Sequence, residues 1–307
     1  MGRRRVRKGR PVNGILLLDK PIGMSSNQAL QKVKRLFNAQ KAGHTGNLDP
    51  LATGVLPICL GEGTKVSAFL LDADKRYTGK ITLGQRTSTA DSEGEVIDTA
   101  PIPELNKLQL ESVLQQFLGE IEQIPPMYSA LKVDGQPLYK LAHKGVEIER
   151  KARRIQIYEL NLLSFEGDSL EIDVHCSKGT YIRTLAEDIG KALGTVAYLS
   201  ALRRTVAGPF RLEECVDMAT LEHVAEDKGP EQLDEFLAPM ESALEDWPDV
   251  VLSENAAFFL GQGQPVVVPN APTEGMVRLF DKSERFLGVG IISDDGKVAP
   301  KRLFNTA

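Results

Sequence analysis

The sequence predicts an α+β fold: a large domain on a mixed, largely antiparallel sheet with flanking helices, followed by a small β-rich C-terminal domain. Three observations predict it. Leu170, Ile172, Val174 and Cys176 alternate with Glu171, Asp173 and His175, the period-2 pattern of a half-buried antiparallel strand. Helical patterns occur singly rather than in a repeating strand–helix rhythm, which argues against a doubly wound sheet. Beyond Trp247-Pro248-Asp249, short strand-like runs are separated by Gly, Pro and Asp turns.

Taken in chain order, the first element is a buried strand within Gly14-Ile15-Leu16-Leu17-Leu18-Asp19-Lys20-Pro21, an apolar run stopped by a proline with Gly23 just after it. A helix follows. Ser25 and Gln28 have capping-box spacing, and Ala29, Leu30, Val33, Leu36 and Phe37 recur on one face, with Lys32, Lys34 and Arg35 on the other. The stretch from Gly43 to Gly61 fits neither period and reads as a glycine-rich loop. The alternating strand that ends at Cys176 leads into a helix from about Thr180 to Leu193, with Ile182, Leu185, Ala186 and Ile189 inward and Gly194 as its stop. In the last segment, strands are expected at Val277 to Phe280, Phe286 to Ile292 and Lys301 to Phe304. The domain plan is thus a basic tail over 1–10, one large domain over 11–247 and a small domain over 248–307.

At 307 residues and 42% hydrophobic content, the chain can bury a substantial core. Its three cysteines, Cys59, Cys176 and Cys215, are far apart and odd in number, and no signal-peptide pattern is evident, so reduced thiols and a cytoplasmic location are expected. No apolar run approaches the roughly 20 residues of a membrane span. The net charge of −5 speaks against a polyanionic partner only if it is evenly spread. It is not: Arg3, Arg4, Arg5, Arg7, Lys8 and Arg10 crowd the first ten residues, whereas Glu213 to Asp249 carries most of its charge as carboxylates. The basic run reads equally as a solubilising tail or as an arm that binds phosphates.

Several chemistries can be set aside. His44, His143, His175 and His223 have no partners at ligand spacing and there is no Cys-x-x-Cys, so no metal site is expected. Gly61-Glu62-Gly63-Thr64-Lys65 lacks the spacer and the Ser/Thr of a phosphate loop, and no Gly-x-Ser-x-Gly elbow is present. Gly43-His44-Thr45-Gly46-Asn47-Leu48-Asp49-Pro50-Leu51-Ala52-Thr53-Gly54 stands out, because glycines and a proline fix an irregular backbone around one carboxylate. Physics alone leaves open a plain turn aspartate before proline. From Pro125 to Arg154, Met127, Tyr128, Leu131, Tyr139 and Leu141 interleave with Lys132, Lys140, His143, Lys144, Arg150, Lys151, Arg153 and Arg154. Positive charge with exposed aromatics on a long loop suits RNA gripping; a solvated charged hairpin is the plainer alternative.

The segment around Asp49 resembles the catalytic motif of the TruB family, the bacterial tRNA pseudouridine-55 synthases. The likeness continues in order through Leu17-Leu18-Asp19-Lys20-Pro21, Gly23-Met24-Ser25-Ser26, Asp74-Lys75-Arg76-Tyr77, Ile124-Pro125, Met127-Tyr128-Ser129-Ala130-Leu131-Lys132 and Cys176-Ser177-Lys178-Gly179-Thr180-Tyr181-Ile182-Arg183. One position departs: Asn47 stands where the family more usually has Ala, Ser or Thr.

The resemblance implies a guide-independent enzyme that flips a T-arm uridine of tRNA and isomerises it to pseudouridine. It makes Asp49 the nucleophile, at uracil C6 or ribose C1′, and Arg183 its basic partner, expected as a bidentate ion pair. It makes Tyr77 the aromatic that stacks on the extruded base. His44 corresponds to the residue that fills the vacated space, and Tyr181 and Leu202 to the uracil pocket. Lys20 and Lys132 are further substrate-side candidates, Lys20 with a more structural character. The loop over 125–154 corresponds to a mobile thumb and the C-terminal domain to a PUA-like RNA-binding fold. No cofactor, no protein partner and a monomer are implied. Two rivals remain: a tRNA-folding chaperone, which has no use for Asp49 beside Arg183, and an aspartyl phosphotransferase, which needs further carboxylates around a magnesium ion.

Overall fold

The computed structural model describes residues 8–129, 131–133, 135–142 and 144–305. Arg3, Arg4, Arg5 and Arg7 of the basic run and His143 of the long loop lie outside the described residues. Arg10 is not free in a tail: its Nη2 lies 2.6 Å from Asp234 and its Nε 3.4 Å from Glu231, so it pairs with the chain's own acidic segment.

An 11-stranded mixed sheet forms the frame. Along its main path the strands run Val216–Asp217, Gly14–Lys20, Ala52–Leu60, Ala197–Ala207, Lys75–Leu83, Ser169–Cys176, Arg153–Glu166 and Gly119–Gln123. Only the pairings of Gly14–Lys20 with Val216–Asp217 and of Ala52–Leu60 with Ala197–Ala207 are parallel on this path. The expected α+β class with a largely antiparallel sheet is therefore what forms.

Local chemistry explains the flanking helices. In Ser26–Leu36, Ser25 caps the end and exchanges hydrogen bonds with Gln28 as a full capping box. Its buried residues Ser26, Ala29, Leu30 and Val33 recur at helical spacing along one face. Ile182–Ala192 buries Leu185, Ala186 and Ile189 and ends at Gly194, whose φ of +80° suits a glycine.

The expected loop from Gly43 to Gly61 is corrected: it holds the short strand Ala42–His44 and the central strand Ala52–Leu60, and only the stretch between them is a loop. The strand escapes pattern reading because both its faces are buried. Leu56, Ile58 and Leu60 face the helices, while Val55 and Cys59 face the C-terminal part of the chain. Gly14–Lys20 divides likewise, with Leu16 and Leu18 on the helix side and Ile15 and Leu17 on the other. Each such buried leucine or isoleucine contributes about 1.5–3 kcal/mol relative to exposure.

The C-terminal β domain is a four-stranded sheet in the order Asp249–Leu252, Met276–Asp281, Phe286–Ile292 and Val298–Leu303. The first strand, parallel to the second, and the helix Glu254–Gly261 after it were not among the expected elements. The last strand begins at Val298, ahead of the expected Lys301. Val250, Leu252, Leu260, Val277 and Leu279 give this domain its own core. Phe286, Val289 and Phe304 cover the outer face of the main sheet, against Ile15, Leu17 and Val55. No helix among the described residues is long and apolar enough to cross a membrane.

Candidate active site

The loop that carries Asp49 is held from several sides. Ser26, 2% exposed, accepts from the Leu48 amide at 2.7 Å and donates to the Leu48 carbonyl at 3.0 Å, fixing the residue before Asp49. The Gly23 amide donates to Pro50 O at 2.8 Å, Thr45 N to Pro57 O at 3.1 Å, and Ala52 N to Asp49 O at 3.0 Å. The loop is thus stitched to the first helix at one end and to its own following strand at the other, and Asp49 is presented from a rigid support.

Arg183, in the first turn of Ile182–Ala192, meets this carboxylate. Its Nη2 lies 3.0 Å from Asp49 Oδ2, but its Nη1 lies 3.3 Å from Asp91 Oδ2. The expected bidentate pair is therefore corrected: the planar fork is divided between two carboxylates, because Asp91 also lies within its reach. Nη1 further donates to Thr89 O at 3.1 Å and Nη2 to Tyr128 O at 2.6 Å, so the guanidinium cannot swing. Asp91 is itself fixed through Oδ1, which accepts from Thr89 Oγ1 at 2.5 Å and from the Glu93 amide at 3.0 Å. Its role was not read from the sequence; an aspartate in a polar turn carries no signal of a partner so far along the chain.

The electrostatics follow from this geometry. The Asp49 side chain is 39% exposed through the mouth of a cavity and walled by protein elsewhere. Burial pushes its carboxyl above the usual carboxylate range; Arg183 pulls it back, Asp91 pushes with burial, and Lys20 opposes. Burial likewise pushes the Tyr77 phenol up, with the nearby Arg204 guanidinium opposing.

Two adjoining cavities meet at Asp49. The smaller, of about 150 Å³, is lined by Asn47, Leu48, Asp49, Tyr77, Tyr181, Ile182, Arg183 and Leu202 among others. A space of about 150 Å³ suffices for one six-membered ring. The larger, of about 690 Å³, extends past Ser25, Thr89, Asp91, Glu93, Tyr128 and Tyr139 and shares Asn47, Asp49, Ser129 and Arg183 with the first. Of the candidates read from the sequence, Asp49, Tyr77, Tyr181, Arg183 and Leu202 come together here, from four separate segments. Tyr181 is set by the buried Gln123, whose amide accepts from the Tyr181 N–H at 2.9 Å and donates to its carbonyl at 3.1 Å. Gln123 too was missed, since its use appears only when strand and helix meet.

The remaining candidates lie elsewhere. His44 ends its short strand and lines neither cavity; its Nδ1 is buried with no hydrogen-bond partner among the described residues. Burial pushes its imidazole below the usual 6.5, the Gly46 backbone opposing and Arg204 adding to it. Lys20 is 0% exposed, and its Nζ donates to Pro21 O at 2.8 Å and Met24 O at 2.5 Å, so it ties the turn before the first helix and offers an RNA no surface. Burial lowers its ammonium to about 8, with Asp49 and Glu93 opposing. Lys132 is exposed in a small hairpin, Lys132–Val133 with Gln136–Pro137, followed by the short helix Leu138–Ala142. That segment folds back on the site: the Tyr139 amide donates to Ser129 O at 3.0 Å, and Tyr139 lines the larger cavity.

Comparison with known proteins agrees with this arrangement. Residues 34–182 match the model described as "TruB family pseudouridylate synthase (N terminal domain)". Residues 183–245 match "tRNA pseudouridylate synthase B C-terminal domain", and residues 248–304 match "Pseudouridine synthase II TruB, C-terminal". The chain is 56% identical over 297 residues to "tRNA pseudouridine synthase B" of Ectopseudomonas mendocina (strain ymp), covering 97% of both. It is 55% identical over 294 residues to the protein of the same name from Coxiella burnetii (strain RSA 331 / Henzerling II), covering 96% of this chain and 95% of the relative. Among solved structures, "Crystal Structure of a Cbf5-Nop10-Gar1 Complex" aligns with a TM-score of 0.73 at 27% identity, over 94% of this chain and 84% of that one. With curated relatives this similar over nearly its whole length, and with the carboxylate of the shared motif set at the mouth of a ring-sized cavity, the chain belongs to the TruB family of pseudouridylate synthases.

Proposed function

We propose that the chain isomerises the T-arm uridine at position 55 of tRNA to pseudouridine, without a guide RNA. One observation carries the reading: the Asp49 carboxylate, paired with Arg183, stands where a one-ring cavity lined by Tyr77 and Leu202 opens into a wider groove. A nucleobase cannot be attacked inside a stack, so a site of this kind takes the base alone and leaves the strand outside. Asp49 adds to the nucleotide, at C6 or at C1′; the N1–C1′ bond breaks, the base turns and C5 bonds to C1′, the bond to Asp49 breaks, and C5 loses a proton while N1 gains one, so that no atom is gained or lost overall. Arg183 keeps the carboxylate ionised and aimed, Tyr77 stacks on the base, and Tyr181 and Leu202 close the pocket around it. His44, beside the loop, fills the place the base leaves. No redox equivalent or water is consumed in such an isomerisation, so it requires no cofactor.

Identity of 56% to a relative named as a tRNA enzyme, against 27% to the chain of the Cbf5-Nop10-Gar1 complex, supports guide independence. The exposed Lys132, Lys140 and Lys144 around Tyr139 support a gripping role for the segment over 125–154. The separate core of the C-terminal sheet supports division near 247/248 and an RNA-binding role for 248–307. We read the protein as a monomer that acts without a protein partner. A reduced, cytoplasmic setting accords with unpaired Cys59 and Cys176, whose thiols burial pushes up to about 12.

The test is to incubate the purified protein with an unmodified tRNA transcript and to map pseudouridine. One new pseudouridine, in the T arm, is expected. Asp49→Asn removes it while tRNA affinity stays within about threefold, because the amide keeps the shape but cannot act as an anionic nucleophile. Turnover by a verified pure Asp49→Asn protein takes the catalytic role away from Asp49.

A further inference from the structure

Arg204 heads the fully buried side chains by volume, at 1% exposure, yet no ion pair among the described residues involves it. Its Nε donates to Val55 O at 2.7 Å, and its Nη2 is buried with no hydrogen-bond partner among the described residues. A buried cation without a counter-ion, with a donor left over, is costly to the fold and is kept where its use lies in something other than stability.

That use is visible in what surrounds it. In the sheet, Arg204 lies opposite Gly54 on one side and Tyr77 on the other. A Cβ at Gly54 would fall 2.1 Å from the Arg204 carbonyl oxygen, so only glycine lets the two strands approach there. A Cβ at Gly46 would lie in ordinary contact, 3.6 Å, with Arg204 Nη1, so the other end of the segment lies beside the guanidinium. Gly46 and Gly54, with φ of +87° and +100°, are the two glycines that bracket Asp49. Both ends of the segment thus lie against one residue far along the chain, Gly54 against its backbone and Gly46 against its guanidinium.

We propose that Arg204 is a positioning residue for the reaction: its guanidinium and backbone are the surface on which the 46–54 segment is moulded, and through it the Asp49 carboxylate and the Tyr77 ring are held in fixed relation. Arginine suits the task because its guanidinium reaches the Gly46 turn through Nη1 while its Nε anchors it to Val55. A misplacement of about 1 Å in such a constellation can cost about a hundredfold in rate. The inference rests on Asp49 being the reacting group.

The experiment compares wild type, Arg204→Met, Arg204→Lys and Asp49→Asn on an unmodified tRNA transcript. It reads thermal midpoint, tRNA affinity and single-turnover rate at saturating enzyme. Arg204→Met is expected to melt no lower than wild type and to bind tRNA within about threefold, yet to react on the order of 10- to 100-fold more slowly. Arg204→Lys recovers part of that rate. A wild-type rate in Arg204→Met, or a rate loss that merely follows lost stability or binding, overturns the proposal. Should Arg204→Met fail to fold, Arg204→Lys decides: a slower reaction at wild-type stability and affinity supports the role, and an unchanged rate overturns it. Activity in Asp49→Asn would instead sink the reading of the site itself, whereas an inactive Asp49→Asn beside a fully active Arg204→Met sinks only this inference.

Discussion

Asp91 Oδ2 stands 3.3 Å from Arg183 Nη1, with both side chains almost wholly withdrawn from water at 3% and 6% exposure. Arg183 is therefore not simply a counter-ion to Asp49; it is held from behind, and a second negative charge faces the nucleophile across it. Because Asp91 pushes the Asp49 carboxyl up, Asp91→Asn lets it fall. Activity needs ionised Asp49, so the acid limb of the pH–rate profile is expected to move to lower pH. The rate on the plateau falls as well, by about tenfold, because Arg183 loses its rear anchor. Loss of the buried partner also destabilises the fold by about 1–3 kcal/mol. An acid limb that stays in place shows that Asp91 does not act on Asp49.

Arg183 itself gives the opposite sign. Arg183→Met removes the cation that pulls the Asp49 carboxyl down, so the acid limb moves to higher pH. Arg183→Lys keeps the charge but cannot reach both carboxylates and two carbonyls at once, and falls between Arg183→Met and wild type in single-turnover rate. Three equal rates with the same acid limb would make Arg183 an RNA-binding side chain or a purely structural group.

Around Tyr139, Lys132, Lys140 and Lys144 are exposed and absent from the ion pairs of the described residues. Reversing all three to glutamate is expected to weaken tRNA binding and flatten its salt dependence, the slope of log affinity against log salt shrinking by about 0.7–0.9 for each phosphate no longer neutralised. Titrations at several salt concentrations check this. An unchanged slope would reduce the segment to a solvated hairpin.

What could be read in the sequence, and what could not, divides by range. Ser25, Gln28 and the stripe through Val33 announce the first helix because capping and amphipathicity are local. Alternation from Leu170 to Cys176 announces its strand because one face is half-solvated. Ala52–Leu60 announces nothing: it is paired on both edges and covered on both faces, so it has no polar side to alternate with, and Gly54 and Pro57 disguise it further. The resemblance brought Asp49, Tyr77, Tyr181, Arg183 and Leu202 to notice, and the cavity unites them. Gln123 and Arg204 stayed silent because their partners, Tyr181 and Val55, lie 58 and 149 residues away. Asp91 stayed silent for the same reason.

The parallel seam between Ala52–Leu60 and Ala197–Ala207 also sets a timetable. The catalytic motif is synthesised early, but its neighbour in the sheet, with Leu202 of the pocket and Arg204 beneath the loop, leaves the ribosome only after the intervening strands. Domains fold as they emerge, yet pairings this distant in sequence must wait for their second half. A nascent chain that ends before Ala197 carries Asp49, Tyr77 and Arg183 but lacks Leu202 and Arg204, so the pocket closes only after Ala197–Ala207 has been made.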